Sequence, residues 1–321
     1  MKKFALFLCL ILAFVFTIGC TPASNKYTLV CPDGAPALSA YALKDEDVSV
    51  TVYPSSSAPT QISKDIKNKQ ADFAILPINL ASKLCKDGEN YKMLGVLTHG
   101  NLYGVSKTGI GLDNIKGKKV GVIQLSGVPG YTFKLLLSAM SVPYTEDESK
   151  LTENNVYLFQ LASDATAVKT ALDKGKADVC IVAEPMSSNL VSKYAFQRSI
   201  DIQQEYGSFP QAVLIAKTSV IEKDVTAVKN IISAFENFDY VSMNSSEAVK
   251  WINSKFLDGA SSQLSAGALS ETAISKSNVY FSSAQNEKQR VISYLSALKV
   301  FDTELGTVAE NVSDEFFWSN V

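Results

Sequence analysis

One histidine, His99, and two arginines, Arg198 and Arg290, are all the chain of 321 residues holds of those types. A lone imidazole cannot build a histidine-rich metal centre and is a poor basis for a catalytic triad. Two arginines are too few for a multi-arginine phosphate clamp. The formal net charge is -2 and the pI about 5.6, with no basic block and no acidic tail. A nucleic-acid groove needs a clustered positive footprint, so nucleic acid is excluded as a partner. The patterns G-x-G-x-x-G, G-x-x-x-x-G-K-[ST] and G-x-S-x-G are all missing, which removes the usual signals for a dinucleotide, a nucleoside triphosphate and a nucleophile elbow. The five cysteines form no C-x-x-C and no Cys/His metal spacing. No catalytic residue set, no metal and no cofactor is expected.

What the sequence has is apolar content, 46% hydrophobic against 19% charged, ample for a large core or two lobes. The first stretch is a leader by composition. Met1-Lys2-Lys3 is positive, and Phe4 to Ile18 is apolar but for Thr17. That is short of the roughly 20 residues a spanning helix needs. It ends in Thr17-Ile18-Gly19-Cys20, which resembles a bacterial lipobox, with Thr17 where leucine is usual. The expectation is a lipoprotein signal over 1–19, lipid on Cys20 and a polar tether over 20–26. Cys31, Cys85 and Cys180 then remain, and buried small hydrophobes describe them better than a Cys31–Cys85 bridge.

The central signal is Gly117 to Tyr131. An apolar strand (Val120 to Leu125) runs into a small-residue turn, and a helix leaves toward Met140 with Val128, Tyr131, Leu135 and Ala139 at helical spacing. Ser126 or Gly127 can cap it, and Pro129 suits its first turn because proline has no N–H to leave unpaired. The first-turn N–H groups of such a helix face whatever sits beyond the strand. Strands and helices alternate on both sides of this unit, which predicts an α/β protein. Lys69-Gln70-Ala71-Asp72-Phe73-Ala74-Ile75-Leu76-Pro77 echoes in Lys176-Ala177-Asp178-Val179-Cys180-Ile181-Val182-Ala183-Glu184-Pro185, each after an amphipathic segment. In the second copy Ser163 is the expected cap and Gly175 the expected end of that segment. The echo suggests two lobes of related topology. Beyond Ser219 apolar faces at helical spacing (Val225 to Phe238, Ala248 to Phe256, Val291 to Leu298) predict a helical tail packed back on the first lobe, with no linker before it.

Five short segments carry a resemblance: Asp33-Gly34-Ala35-Pro36-Ala37, Ala71-Asp72-Phe73-Ala74-Ile75, Gly117-Lys118-Lys119-Val120-Gly121-Val122, Ala177-Asp178-Val179 and Phe209-Pro210-Gln211-Ala212-Val213. Their order and spacing resemble the solute-binding subunits of ABC importers, and within them the nitrate/sulfonate/taurine and thiamine-pyrimidine-precursor binding group. The resemblance implies the two-lobe type II periplasmic-binding-protein fold, each lobe a mainly parallel sheet flanked by helices. It implies a first lobe over 27–105 and 213–321 and a second over 106–212. Hinge crossings are expected near Tyr103–Ser106 and Gln211–Ile215. The implied partners are a small solute, a membrane permease with its ATPase, and the outer face of the membrane through the lipid on Cys20. The protein itself is expected to be a monomer.

Carried over by position, the cleft loops place Asp33, Gly34, Ala35, Pro36, Ser55, Ser56, Ser57, Asn79, His99, Asn101, Ser126, Gly127, Tyr131, Glu184 and Gln211 against the solute. Gln124 joins Asn79, Asn101 and Gln211 as an amide able to offer donor and acceptor together. Several have plain alternatives. Glu184 can cap the helix after Pro185, Ser55 to Ser57 can form a solvated turn, and His99 can be a structural imidazole. No arginine falls in a cleft loop, so bidentate recognition of an oxyanion is disfavoured, although an anion can still rest on the Ser126–Gly130 helix terminus. Asp33 and Glu184, with Tyr53, Tyr103, Tyr131 and Phe209 near the loops, suit a neutral or cationic nitrogen heterocycle such as a pyrimidine vitamin precursor. The alternatives are a sulfonate- or nitrate-type anion on the same fold, a hydrolase using Ser126 and His99, and a ligand sensor that docks a membrane receptor.

Overall fold

A computed structural model describes residues 26–88, 90–257, 259–305 and 314–319. The expected signal, Cys20 and the tether up to Asn25 lie outside the described residues. The chain begins with β1 (Tyr27–Pro32), α1 (Ala35–Ala40), β2 (Val48–Tyr53), α2 (Ala58–Lys67), β3 (Phe73–Pro77), α3 (Ile78–Lys86) and β4 (Tyr91–Thr98). It continues with β5 (Leu102–Ser106), β6 (Lys119–Ile123), α4 (Val128–Ala139), β7 (Tyr144–Thr145), β8 (Val156–Leu161) and α5 (Ala165–Asp173). Then come β9 (Val179–Ala183), α6 (Met186–Tyr194), β10 (Gln197–Asp201) and α7 (Ile202–Tyr206). The last stretch holds β11 (Ala212–Lys217), α8 (Thr218–Lys223), α9 (Val225–Asn237), α10 (Ser245–Asn253), α11 (Glu271–Lys276), β12 (Val279–Ser283) and α12 (Ala284–Leu298).

These elements make two six-stranded sheets, ordered β12-β4-β11-β3-β1-β2 and β10-β5-β9-β6-β8-β7. Phe73, Ala74, Ile75 and Leu76 are all fully buried because β3 is covered on both faces. The edge strand β2 instead alternates, with Val48, Val50 and Val52 inward. Both sheets are mixed rather than mainly parallel. β1 pairs parallel with β2 and β3, and β6 with β8 and β9. The strands that carry the chain between lobes, β11 and β5, run antiparallel to β3 and β9. A strand entering from the other lobe arrives from the opposite end, and that fixes its direction. The echoed segments occupy equivalent places: β3 and β9 each sit between the first strand of their lobe and the crossing strand.

The crossings fall a few residues before the expected positions. β5 already belongs to the second sheet and β11 to the first, so the chain crosses at Thr98–Asn101 and returns at Gly207–Gln211. Glycine suits both, since Gly100 and Gly207 adopt φ of 81° and 100°. The tail contains the three expected helices, and β12, which was not anticipated, adds an edge to the first sheet beside β4. α4 is buried nearly all round rather than along one stripe. It lies between the second sheet and α12, where the Thr132 and Tyr294 hydroxyls bond at 2.6 Å. One continuous apolar cluster therefore runs through both lobes. Asp164, not Ser163, caps α5 by accepting from the Ala167 N–H at 2.8 Å, because an ionised carboxylate is favoured at a helix N-terminus. Cys31 and Cys180 are fully buried thiols, and burial pushes both up from the ordinary thiol range.

Candidate functional site

Between the lobes lies a cleft of two adjoining chambers that share part of their walls. The inner one, about 130 Å³, is walled by Asp33–Pro36 at the start of α1, by Val128 and Pro129 of α4, and by Glu184–Met186 and Asn189 at the start of α6. Asn101 and Gln211 of the crossings and Gln263, Leu264 and Ala268 of the tail complete it. The outer one, about 550 Å³, is bordered by Ser55, Ser56, Asn79, Lys83, Ser126, Gly127, Gln160–Asp164 and Asp302. Strand ends and helix starts converge here, as open α/β sheets lead one to expect.

Each charged wall group is already engaged inside the protein. The Asp33 carboxylate accepts from the Ser262 hydroxyl at 2.6 Å and the Gln263 N–H at 2.8 Å. Burial raises its pKa, and these bonds oppose the rise. Glu184 accepts from the N–H and hydroxyl of Ser188, both at 2.9 Å, and pairs with Arg198. Its pKa is raised by burial and held back by the guanidinium. Glu184 thus caps the start of α6 while still bordering the inner chamber, and Arg198 of β10 reaches its carboxylate without itself bordering either chamber. Lys83 is bound to Asp302 at 2.6 Å and Glu304 at 3.0 Å.

The crossing amides are engaged as well. Asn101 N–H donates to Gln211 Oε1 at 3.1 Å, and Gln211 Nε2 donates to Asn101 Oδ1 at 2.8 Å. They brace the two crossings together instead of offering free amides. The start of α4 is partly occupied as well. Pro129 has no N–H, and the Gly130 N–H turns back to the Gln124 carbonyl at 3.3 Å. The α4 terminus therefore has less to offer an anion than its sequence promises.

Polar capacity left over sits elsewhere. The carboxamides of Gln124 and Asn189 border the inner chamber and have no hydrogen-bond partner among the described residues. Gln124 holds φ of 49°, in the left-handed region that is uncommon for a residue with a side chain. Asn79 Oδ1, in the outer chamber, is buried without a partner among the described residues, and such an atom normally awaits water or a ligand. Asn189 was missed in the sequence, since an asparagine within a helix has no local signature. Gln263 and Leu264 were missed because they lie in an irregular stretch of the tail.

Three expected contacts do not reach the cleft. Ser57 turns its hydroxyl to the Pro54 carbonyl at 3.3 Å. Tyr131 stacks on Phe301 at 5.7 Å between ring centres, covered by the interlobe contact. His99 is 1% exposed. The other aromatic candidates are also spent: Tyr53 donates to Asp65 at 2.6 Å, Tyr103 to the Lys276 carbonyl at 3.0 Å, and Phe209 stacks on Tyr294. Apolar wall area comes instead from prolines, Ile123, Val128, Met186 and Leu264.

No family model matches the chain, and no curated protein does. Solved structures do. An ABC transporter protein from Parabacteroides distasonis is 17% identical over 92% of this chain and 100% of its own, with a TM-score of 0.71. The periplasmic aliphatic sulphonate binding protein SsuA of Escherichia coli is 12% identical over 92% and 93%, with a TM-score of 0.63. A Candida albicans protein described as having the generic periplasmic binding protein fold is 12% identical over 92% and 98%, with a TM-score of 0.58. This is the type II periplasmic-binding-protein fold. Its two lobes and two crossings are the ones described above.

In a periplasmic-binding-protein fold His99 stands at the hinge, and its contacts make it structural. Arg290 Nη2 donates to Nδ1 at 2.6 Å, so Nε2 carries the proton and donates to the Tyr280 carbonyl at 3.1 Å. The ring also stacks on Tyr280 at 3.7 Å. With both nitrogens engaged it cannot serve Ser126 as a base. Burial lowers its pKa to about 4, Glu287 opposing and Arg290 adding to the effect. The folded state thus binds fewer protons than the unfolded chain between pH 6.5 and about 4. Stability is highest above that window and falls as pH drops through it, by on the order of 2–3 kcal/mol. His99→Gln should lack this component. Thermal midpoints of the two proteins should converge or cross between pH 7.5 and pH 4.5, whereas parallel curves would rule the assignment out.

Proposed function

We propose that this protein is the extracytoplasmic solute-binding component of an ABC importer, anchored by lipid on Cys20 and presenting its closed form to a membrane permease and its ATPase. The solute is a small uncharged organic molecule, with an uncharged nitrogen heterocycle of the pyrimidine-precursor kind favoured over a sulfonate or nitrate. One observation supports this most. Every charged group on the inner walls is paired within the protein, while two carboxamides, Gln124 and Asn189, are not. A carboxamide offers a donor and an acceptor side by side, matching a ring that carries both. An oxyanion would find no free guanidinium, and at α4 no full set of first-turn N–H groups. A cation would compete with Ser262 and Gln263 for Asp33, and with Arg198 for Glu184. The aromatic stacking and free carboxylates expected from sequence give this reading no help.

Binding without chemical change is the activity proposed. A hydrolase has no support, since His99 is committed elsewhere, and a receptor-docking sensor differs only in the partner of the closed form. The test is mass spectrometry of whatever copurifies, followed by calorimetry on the stripped, refolded protein. A hydroxymethyl-aminopyrimidine should bind and taurine and nitrate should not. Tight taurine or nitrate binding with none for pyrimidines would overturn the solute class.

A further inference from the structure

We propose that Gln263 is the bar of a gate between the two chambers, held across their junction by Asp33 and closing the inner one to passing solute. Ser55, Pro77, Gln124, Val128, Ser163 and Gln263 border both chambers, and among them Gln263 and Ser163 are joined across the junction. Gln263 Nε2 donates to the Ser163 carbonyl at 3.0 Å, linking the tail of the first lobe to the loop after β8 in the second. The bar is aimed by its own backbone. Asp33 takes the Gln263 N–H and the Ser262 hydroxyl, and Asn253 Oδ1 takes the Ser262 N–H at 2.9 Å. Two anchors on the first lobe thus fix where the side chain reaches. Asp33 is 6% exposed and its bonds are charge-assisted, so the anchor is stronger than the bar. Gln263 itself is solvent-exposed, and a neutral bond there is weak enough to break at each opening. The inference goes beyond the proposed function: it concerns access to the chamber and holds whatever solute enters.

Labelling from inside the chamber tests it without any solute. Ala268 borders only the inner chamber and is 3% exposed. In full-length Ala268→Cys protein, the rate of modification by methanethiosulfonate ethylammonium is followed by mass spectrometry. Adding Gln263→Ala should speed that modification about three- to tenfold, the equilibrium value of one net hydrogen bond. Gln263→Met keeps the bulk without the donor and should also accelerate it, by less. Asp33→Asn, which loosens the anchor, should act in the same direction. Cys31 and Cys180 should stay unmodified throughout. A rate within twofold of the parent overturns the gate, with or without a lowered thermal midpoint. So does faster labelling that extends to the buried native cysteines, which would mean general loosening. If Ala268→Cys does not fold, Asn189→Cys on the facing wall carries the same comparison.

Discussion

Replacing Arg198 with alanine is expected to cost the fold on the order of 3–5 kcal/mol, a fall of roughly 10 °C in thermal midpoint for a chain of this size. The Glu184 side chain is 0% exposed and that of Arg198 16%. The guanidinium does more than pair with the carboxylate. Its Nε donates to the Ser187 hydroxyl at 2.8 Å and Nη2 to the Ser188 hydroxyl at 2.7 Å, and it lies over the Tyr103 ring at 4.6 Å. Truncation leaves a buried carboxylate opposed only by the Ser188 groups and by Lys276 at longer range. The double variant Arg198→Met with Glu184→Gln removes both charges and should be less damaged than Arg198→Ala alone.

The pH dependence of Arg198→Ala has a definite sign. Burial already raises the Glu184 pKa, and losing Arg198 raises it further. The folded variant then binds more protons than its unfolded chain above the ordinary carboxylate range. Its stability must fall as pH rises through that window, so the deficit relative to wild type should be larger at pH 8 than at pH 5. Chemical unfolding at both values measures it. An equal deficit would place the loss in packing rather than in an unpaired charge.

The ion pair also shows where sequence reading stops. Periodicity placed β3, β9, α4 and the tail helices, because each depends on residues a few positions apart. The echo of Lys69–Pro77 in Lys176–Pro185 located two equivalent strands, and the loops after them do border the cleft. What sequence does not carry is commitment. Asp33 and Glu184 are acidic in any reading, but whether their charge is free depends on Ser262, Gln263 and Arg198, and two of those partners lie more than 200 residues from Asp33. His99 and Tyr131 fall on plausible loops, yet Arg290, Tyr280 and Phe301 cover them from the tail. Local pattern therefore names the loops that reach a site. Which side chains there remain unspent is a property of long-range packing.

Gly130 is where local propensity and packing disagree most sharply. It lies in the first turn of a 12-residue helix, and glycine-to-alanine exchange inside a helix ordinarily gains about 1 kcal/mol. Here a Cβ would stand 2.0 Å from the Leu125 carbonyl oxygen and 2.4 Å from its carbon. Those are backbone atoms, which cannot rotate away as a side chain would. Either α4 shifts off the second sheet or the turn from Gln124 to Gly127 is displaced. Gly130→Ala should therefore lose about 3 kcal/mol, the upper range for overpacking, reversing the sign that propensity gives. The displaced turn carries Gln124 and Gly127, which border the cleft, so whatever solute copurifies with wild type should be lost from the variant. Gly267→Ala, with no atom within 4 Å of the new carbon, should leave both properties intact. A Gly130→Ala protein with wild-type midpoint and retained solute would mean that the strand, turn and helix are not packed backbone to backbone as described.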